Sequence, residues 1–168
     1  APSHVVVGEK FTYRLKLEDR WGNPVGRQAK RVMHPGFSRT GEQVITARDT
    51  SLKLSGLSNP IDVVAEPPSM RRCWAYFHGQ SAETVGTNSI DDYFLFARDQ
   101  ACLDIASHQG NDFQITDAFW TKINRVTRKL YEPGSFVTFP GYEWSGNTPL
   151  GGDRNVFFAS EGGTIARS

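Results

Sequence analysis

Two adjacent prolines, Pro67 and Pro68, separate two parts of this sequence that differ in hydrophobic periodicity. Proline lacks a backbone N–H and fixes φ, so the pair stiffens the chain and cannot continue a strand ladder. Before the prolines, apolar and polar residues alternate, as in half-buried strands. After them, short apolar runs alternate with stretches of helical period. We therefore predict two domains, residues 1–68 and residues 69–168.

The first domain is predicted to be a β-sandwich. The stretch FTYRLKLED, residues 11–19, alternates apolar and polar side chains, and the RWGNPVG that follows it marks a turn. Further short strands are predicted at residues 43–47, 51–56 and 61–66. Several short strands separated by Gly, Pro and Asn, with no helical period between them, are typical of an antiparallel sandwich.

The second domain is predicted to alternate strands and helices. Four strands are predicted, at RCWAYFHG, ACLDIAS, SFVTFPGYEW and RNVFFAS, and the apolar run of the first predicts burial on both faces. Two helices are predicted, at SIDDYFLFARDQ with Ser89 as N-cap and at TDAFWTKINRVTRKL with Thr116 as N-cap. An apolar stripe along the second helix comprises Phe119, Ile123, Val126 and Leu130. This order is typical of a parallel α/β sheet or barrel.

Composition argues against several function classes. The 19 basic and 18 acidic residues give a formal net charge of +1, which provides no electrostatic reason to expect nucleic acid or an anionic membrane as partner. No apolar run is long enough to predict a membrane span. Cys73 and Cys102 each lie in an apolar run without a second cysteine nearby, which favours buried thiols over a zinc site or a disulfide framework.

Three side chains that can ligate a metal end predicted strands: His78, His108 and Glu143. In parallel α/β folds the chemistry gathers at the carboxyl ends of the strands, so we expect the three to lie close together. Two imidazoles and a carboxylate suit zinc, manganese or iron. The alternative is that both histidines form hydrogen bonds within their loops while Glu143 pairs with Arg154.

Three further charged residues, Asp112, Asp153 and Arg154, are candidates for the site. Asp112 and Asp153 carry oxygen ligands suited to a divalent cation. Asp112 equally suits a helix cap, or a group that orients a water or His108. Arg154 suits binding of a substrate oxyanion or a structural pairing with an acidic neighbour.

Four motifs in this order, HGQSAETVGT, LDIASHQGNDFQ, FVTFPGYEWSGN and GGDRNVFF, resemble a bacterial family, largely of unknown function, that is related to the PHP (polymerase and histidinol phosphatase) superfamily. The resemblance runs from Trp74 to the C-terminus, and the residues before it resemble an immunoglobulin-like sandwich. It implies an N-terminal β-sandwich followed by the first part of a PHP-like β/α barrel. It also implies metal-dependent hydrolysis, chiefly of phosphoesters.

The resemblance further implies a ligand set. His78 matches the first histidine of a His-x-His motif, and Gln80 stands where the second would be. His108 matches the histidine of the next motif, and Glu143 matches an acidic residue that bridges two metal ions. Asp153 lies where relatives often have a histidine.

Two departures from the pattern stand out. Tyr76 occupies the position of a usual aspartate, which removes a carboxylate beside the site. The sequence also stops after the fourth predicted strand, so the resemblance implies a piece of a longer protein whose C-terminal part supplies the remaining ligands.

The sequence therefore predicts a metal-dependent hydrolase, a phosphoesterase acting on a small-molecule ester, or an enzyme that cleaves an amide or lactone with the same chemistry. The alternative is a non-catalytic module in which the sandwich binds carbohydrate or another domain. The sandwich suits a protein that is exported or periplasmic in full length. The predicted catalytic residues are Glu143, Asp112 and Arg154, and the predicted ligands of zinc, manganese or iron are His78, His108, Glu143, Asp153 and Gln80.

Overall fold

The computed structural model describes residues 1–146 and 151–168, with the side chains of all of these except Arg27 and Gln28. These residues divide into two compact units, Ala1–Cys73 and Trp74–Ser168. Within the described ranges, no helix is long and apolar enough to cross a membrane. Asn147, the last residue of the third motif, lies outside them.

The N-terminal unit is built from short strands. They are β1 (His4–Val6), β2 (Phe11–Glu18), β3 (Pro24–His34), β4 (Gly41–Gln43), β5 (Thr46–Asp49), β6 (Leu54–Leu57) and β7 (Ile61–Val64). Strand β7 pairs parallel with β1 and antiparallel with β4, and these strands bury Val5, Ile61 and Val63 in a small core. Strands β2 and β3 form one antiparallel pair, and β5 and β6 form another.

The described residues of this unit thus form three small sheets in place of the predicted sandwich. The alternating pattern of residues 11–19 does produce a strand, β2. However, the side chains of Leu15 and Leu17 remain exposed instead of facing a second sheet. Alternation predicts a strand but does not specify what covers its apolar face.

The C-terminal unit holds a parallel sheet and an antiparallel hairpin. Its elements are β8 (Ala75–Gly79), α1 (Ile90–Asp99), β9 (Ile105–His108), α2 (Asp117–Leu130), β10 (Val137–Phe139), β11 (Gly141–Ser145) and β12 (Asp153–Phe157). Strand β9 lies between β8 and β10, and all three run parallel. Strands β11 and β12 pair antiparallel with each other.

Both predicted helices are confirmed, together with their caps. The hydroxyl oxygen of Ser89 accepts a hydrogen bond from the backbone N–H of Asp92, and Asp91 and Asp92 lie in the positive first turn of α1. The apolar stripe of α2 is buried in the main core of the unit. A strong helical period therefore identified the packed face of α2 from sequence alone.

The predicted PHP-like β/α barrel is wrong, because the part of the chain that is described is mostly β, in small sheets, with two short helices. The single strand expected at SFVTFPGYEW is broken at Pro140 into β10 and β11, since proline cannot donate to a ladder. Strand β11 then pairs antiparallel with β12, and it contacts the segment after β9 through one parallel bridge, between Asn111 and Glu143.

Strand β8 also differs from its prediction. All four of its side chains, those of residues 75–78, are exposed, although its apolar sequence predicted burial on both faces. Among the described strands β8 lies at the end of the sheet and pairs with β9 alone, which leaves it more accessible than a central strand. Apolar composition thus marked a strand, but not its place in the sheet.

Replacing Thr116 with alanine is expected to lower the free energy of unfolding by about 1 kcal/mol. The Thr116 hydroxyl accepts a hydrogen bond from the backbone N–H of Phe119 at 3.1 Å, and alanine leaves that donor without its cap. Thr121→Ala is the matched control, since Thr121 is exposed within the same helix and alanine is a better helix former. Urea unfolding of both variants is the measurement, and equal losses would contradict the capping role.

Candidate functional site

Strand β8 and the β11–β12 hairpin meet through polar side chains. Glu143 and Asn155 are directly opposite each other in the hairpin, so their side chains share one face. His78 contacts both: its Nδ1 lies 2.9 Å from Asn155 Oδ1, and its Nε2 lies 3.7 Å from Glu143 Oε2. Two of the residues that end predicted strands, His78 and Glu143, are therefore brought together.

The hydrogen bonds around Asn155 determine which nitrogen of His78 carries a proton. Asn155 Nδ2 donates to the carbonyl oxygen of Phe77, which turns Oδ1 toward His78. His78 Nδ1 must then be the donor, an assignment that follows from the hydrogen-bond network. In the neutral imidazole Nε2 is consequently unprotonated, and its lone pair faces the Glu143 carboxylate. A lone pair and a carboxylate attract each other only through a shared proton or cation.

Glu143 is 6% exposed and is surrounded by neutral hydrogen-bond donors. Its Oε2 accepts from Asn111 Nδ2 at 3.0 Å and from Gln80 Nε2 at 3.4 Å. Burying a carboxylate without a positive partner costs several kcal/mol. The described contacts of Glu143 include no lysine or arginine, so a cation bound in this pocket would compensate the buried carboxylate.

Sequence reasoning did not identify Asn111. Its amide also donates to Ser145 Oγ at 2.8 Å, and its Oδ1 accepts from Gln80 Nε2 at 3.2 Å. Gln80 Oε1 is buried and has no hydrogen-bond partner among the described residues. The cluster thus contains a buried acceptor oxygen for which the described residues provide no hydrogen-bond donor. The available signal was the position of Asn111, three residues beyond the end of β9 in the same loop as His108.

His108 lies in a different environment. Its Nδ1 accepts from the backbone N–H of Gly110 at 3.2 Å, so its Nε2 carries the proton and donates to Ser81 Oγ at 2.9 Å. The ring is fully buried and packs edge-on against Phe119. Burial lowers the pKa of His108 to about 4, although the nearby charge of Glu83 opposes this shift. Both ring nitrogens are therefore engaged in structural hydrogen bonds.

Asp112 is fully buried and contacts the backbone instead of the His78–Glu143 pair. Its Oδ1 accepts from the N–H of Ser145 at 2.9 Å, and its Oδ2 accepts from the N–H of Ser168 at 2.7 Å. Its own N–H donates to the carbonyl oxygen of Glu143 at 2.8 Å. Asp112 therefore fixes the backbone of β11 at Glu143 and Ser145.

The remaining predicted residues lie at the edges of the cluster. Arg154 is opposite Trp144, on the face of the hairpin away from Glu143, with its guanidinium 5.4 Å from the Trp144 ring centroid. Asp153 is opposite Ser145, on the same face as Glu143, at the exposed start of β12. Within residues 1–146 and 151–168, no three His, Cys, Asp or Glu side chains converge as a metal site.

Tyr76, the residue at the position of the expected aspartate, forms no described hydrogen bond to His78 or Glu143. It is half exposed and lines an apolar groove with Tyr93 and Phe96, between β8 and α1. The carboxylate nearest His78 in the described structure is that of Glu143, which comes from the hairpin.

The fold and the cluster together define a two-unit, mostly β protein with a buried carboxylate beside an imidazole. Residues 55–167 match a family model described as "Protein of unknown function (DUF3604)", and the chain belongs to this family. It is 23% identical to an uncharacterized protein of Chlamydia pneumoniae and 22% identical to one of Chlamydia trachomatis. These matches cover 95% and 96% of this chain, which spans 30% of the length of either relative. No solved structure matches the chain.

The relationship to the PHP superfamily is therefore wrong, because the matching family model is the DUF3604 model and the described fold has no β/α barrel. The match also begins at residue 55, within the N-terminal unit, and not at Trp74. Short motifs in which a histidine ends a strand and precedes a glycine or a glutamine are compatible with more than one fold.

Proposed function

We propose that His78 and Glu143 bind a divalent metal ion and that the whole protein uses it to hydrolyse an ester, most simply a phosphoester. The observation that carries this proposal is the position of His78 Nε2, which faces Glu143 Oε2 at 3.7 Å. That separation is too long for a direct hydrogen bond. Two ligands of one tetrahedral zinc ion lie roughly 3.4 Å apart, close to the distance between these atoms.

The donor set fits such an ion. An imidazole nitrogen and a carboxylate oxygen suit zinc, manganese and iron, and Gln80 Oε1 supplies a buried acceptor that has no partner in the described residues. Ligating histidines usually donate their second N–H to an acceptor, as His78 does to Asn155. A positive ion would also compensate the buried charge of Glu143.

The chemistry supplied by a bound divalent ion is an activated water at neutral pH and charge stabilisation of the ester oxygen. This chain's residues prepare that chemistry. Asn155 keeps His78 Nε2 free, Asn111 and Gln80 orient Glu143 Oε2, and Asp112 holds the backbone of β11. Catalytic metal sites usually have three protein ligands, and Gln80 is the third candidate ligand in this chain, beside His78 and Glu143.

A second candidate function is a non-catalytic binding module. The described side chains of the N-terminal unit include large apolar groups at the surface, among them Trp21, Met33 and Leu57, the last 72% exposed. Arg20 stacks on Trp21 with its guanidinium 3.9 Å from the ring centroid. Exposed apolar groups of this size suit contact with a carbohydrate or another domain. Hydrolysis of an amide or lactone needs the same metal chemistry and is separated from phosphoester hydrolysis by a substrate panel.

The test is calorimetric titration of the chain with ZnCl₂ and MnCl₂, with metal content measured by mass spectrometry. We expect stoichiometric binding that is lost in His78→Ala and Glu143→Gln. Asn155→Ala is expected to weaken binding by about 10- to 100-fold, because it releases the imidazole from its support. His34→Ala and Glu161→Gln are matched controls outside the cluster and should bind as the parent does. Absence of binding, or binding that survives His78→Ala, would leave the non-catalytic module as the better account.

A further inference from the structure

We propose that Phe77 and Phe157 form a binding site for a planar, apolar ring of the substrate beside His78 and Glu143. The substrate class is then an aryl ester, with its ring on the two phenylalanines and its ester group at the polar cluster. This inference rests on the proposed hydrolase function, and it adds the chemical nature of the group that the ester carries.

The two rings lie next to the polar cluster because of where their strands meet. Phe77 immediately precedes His78 in β8, and Phe157 follows Asn155 by two residues in β12, on the same face of the hairpin. The ring centroids are 5.4 Å apart with an interplanar angle of 69°. Strand β8 thus contributes an aromatic ring and an imidazole to one surface of β12.

Neighbouring residues of a regular strand point to opposite faces, so Phe77 and His78 should not both reach the same strand. The register between β8 and β9 shifts between Tyr76 and Gly79, as at a β-bulge. Such irregularities re-aim side chains and are frequent beside active sites. Here the irregularity lets Phe77 contact Phe157 while His78 contacts Asn155.

The pair is accessible. Phe77 is 40% exposed and Phe157 is 43% exposed. The position opposite Phe157 in the hairpin is Gly141. A Cβ at that position would overlap the side-chain amide of Gln109, which is fully buried beneath it. Gln109 donates to the carbonyl oxygen of Val156 and so supports the strand that carries Phe157.

An edge-to-face pair leaves ring faces free, and a third ring packs favourably against them. A hydrophobic ring bound on such a surface, next to a polar group that holds an ester, provides both orientation and specificity. We therefore expect a phenyl ester to bind about tenfold tighter than the corresponding methyl ester.

The test compares phenyl phosphate with methyl phosphate by NMR titration of the whole chain, with and without ZnCl₂. The parent should bind phenyl phosphate about tenfold tighter than methyl phosphate, with shifts in the Phe77 and Phe157 ring signals. Phe157→Ala and Phe157→Leu should remove this preference, and Phe157→Leu keeps the apolar bulk in case the alanine variant unfolds. Phe113→Ala, which removes a 60% exposed ring elsewhere in the unit, is the control and should keep the preference.

The two proposals fail in different ways. If zinc binds but the two phosphates bind equally, or if Phe157→Leu retains the preference, the aromatic site is overturned and the metal site stands. If zinc does not bind but the phenyl preference persists and depends on Phe157, the aromatic site stands and the hydrolase proposal fails. No binding of phenyl phosphate at millimolar concentration overturns the aromatic site.

Discussion

The free energy of unfolding of the C-terminal unit is expected to fall by about 3 kcal/mol as the pH is lowered from 6.5 to 4, because of His108. Burial lowers the pKa of this imidazole from 6.5 to about 4, and the charge of Glu83 offsets only part of that effect. The neutral ring is fixed by the N–H of Gly110 at Nδ1 and by Ser81 Oγ at Nε2.

The direction follows from proton binding. Between pH 6.5 and 4 the unfolded chain protonates His108 while the folded chain does not, so acid favours unfolding across this window. The stabilisation is complete above pH 6.5 and is lost by pH 4. Protonation in the folded state would also place a donor at Nδ1 against the N–H of Gly110.

Denaturant titrations at several pH values measure this effect. His108→Gln should flatten the dependence of the free energy of unfolding on pH relative to the parent. Nitrogen-15 NMR of the parent provides a second readout that needs no variant. It should show the tautomer with the proton on Nε2, neutral down to pH 5 or below. A His108 that titrates near its ordinary pKa would contradict the burial argument.

Asp112→Ala is expected to lower the free energy of unfolding by about 3 kcal/mol. The carboxylate is fully buried and accepts hydrogen bonds from the backbone N–H groups of Ser145 and Ser168. Its removal leaves two donors without acceptors and a cavity in their place. Asp112→Asn should lower the free energy of unfolding by less than Asp112→Ala does. Its amide oxygen still accepts one of the two hydrogen bonds, while its amide nitrogen faces the other donor.

Thermal and urea unfolding, with Asp91→Asn as control, measure the effect of Asp112. Asp91 is a partly exposed acid 3.7 Å from Lys129, and its neutralisation should change stability by less than about 0.5 kcal/mol. Asp112→Asn should also weaken zinc binding at the proposed site, since the backbone around Glu143 is less firmly held. A stable Asp112→Ala variant with unchanged zinc affinity would show that Asp112 does not position Glu143.

Local sequence signals predicted the helices well. Ser89 and Thr116 begin α1 and α2 as N-caps, and the spacing of Phe119, Ile123 and Val126 marks the buried face of α2. These features depend on residues within a few positions of one another, where propensity and periodicity act directly. The pairing of strands, in contrast, depends on residues that are far apart in sequence.

Strand pairing and sheet edges were not predictable in the same way. Pro140 lies inside an apolar run that reads as one strand, yet it divides a parallel strand from an antiparallel one. Strand β8 is as apolar as a central strand but lies at an edge. The partner of a strand depends on residues far away in sequence, and the run itself does not specify them.

The candidate site was predicted in part for the same reason. His78 and Glu143 were predicted as site residues because they lie at the ends of the first and third predicted strands of the second domain. Their side chains contact each other in the structure. Their role as metal ligands stays a prediction. His108 also ends a strand, but its ring turns into the core and hydrogen-bonds Ser81. The amides of Asn111 and Asn155 gave no comparable signal, because asparagine is common in loops and turns.

The break at Pro140 has a mechanical consequence. His78 belongs to the parallel sheet, whereas Glu143 and Asn155 belong to a separate hairpin that begins just after the proline. A ligand held between His78 and Glu143 would therefore add a second link between the hairpin and the parallel sheet, beside the backbone hydrogen bonds that Glu143 forms with Gly110 and Asp112. Occupancy of the site would then appear as slower hydrogen exchange throughout the hairpin, including strand β12, which supplies neither of the two ligand atoms.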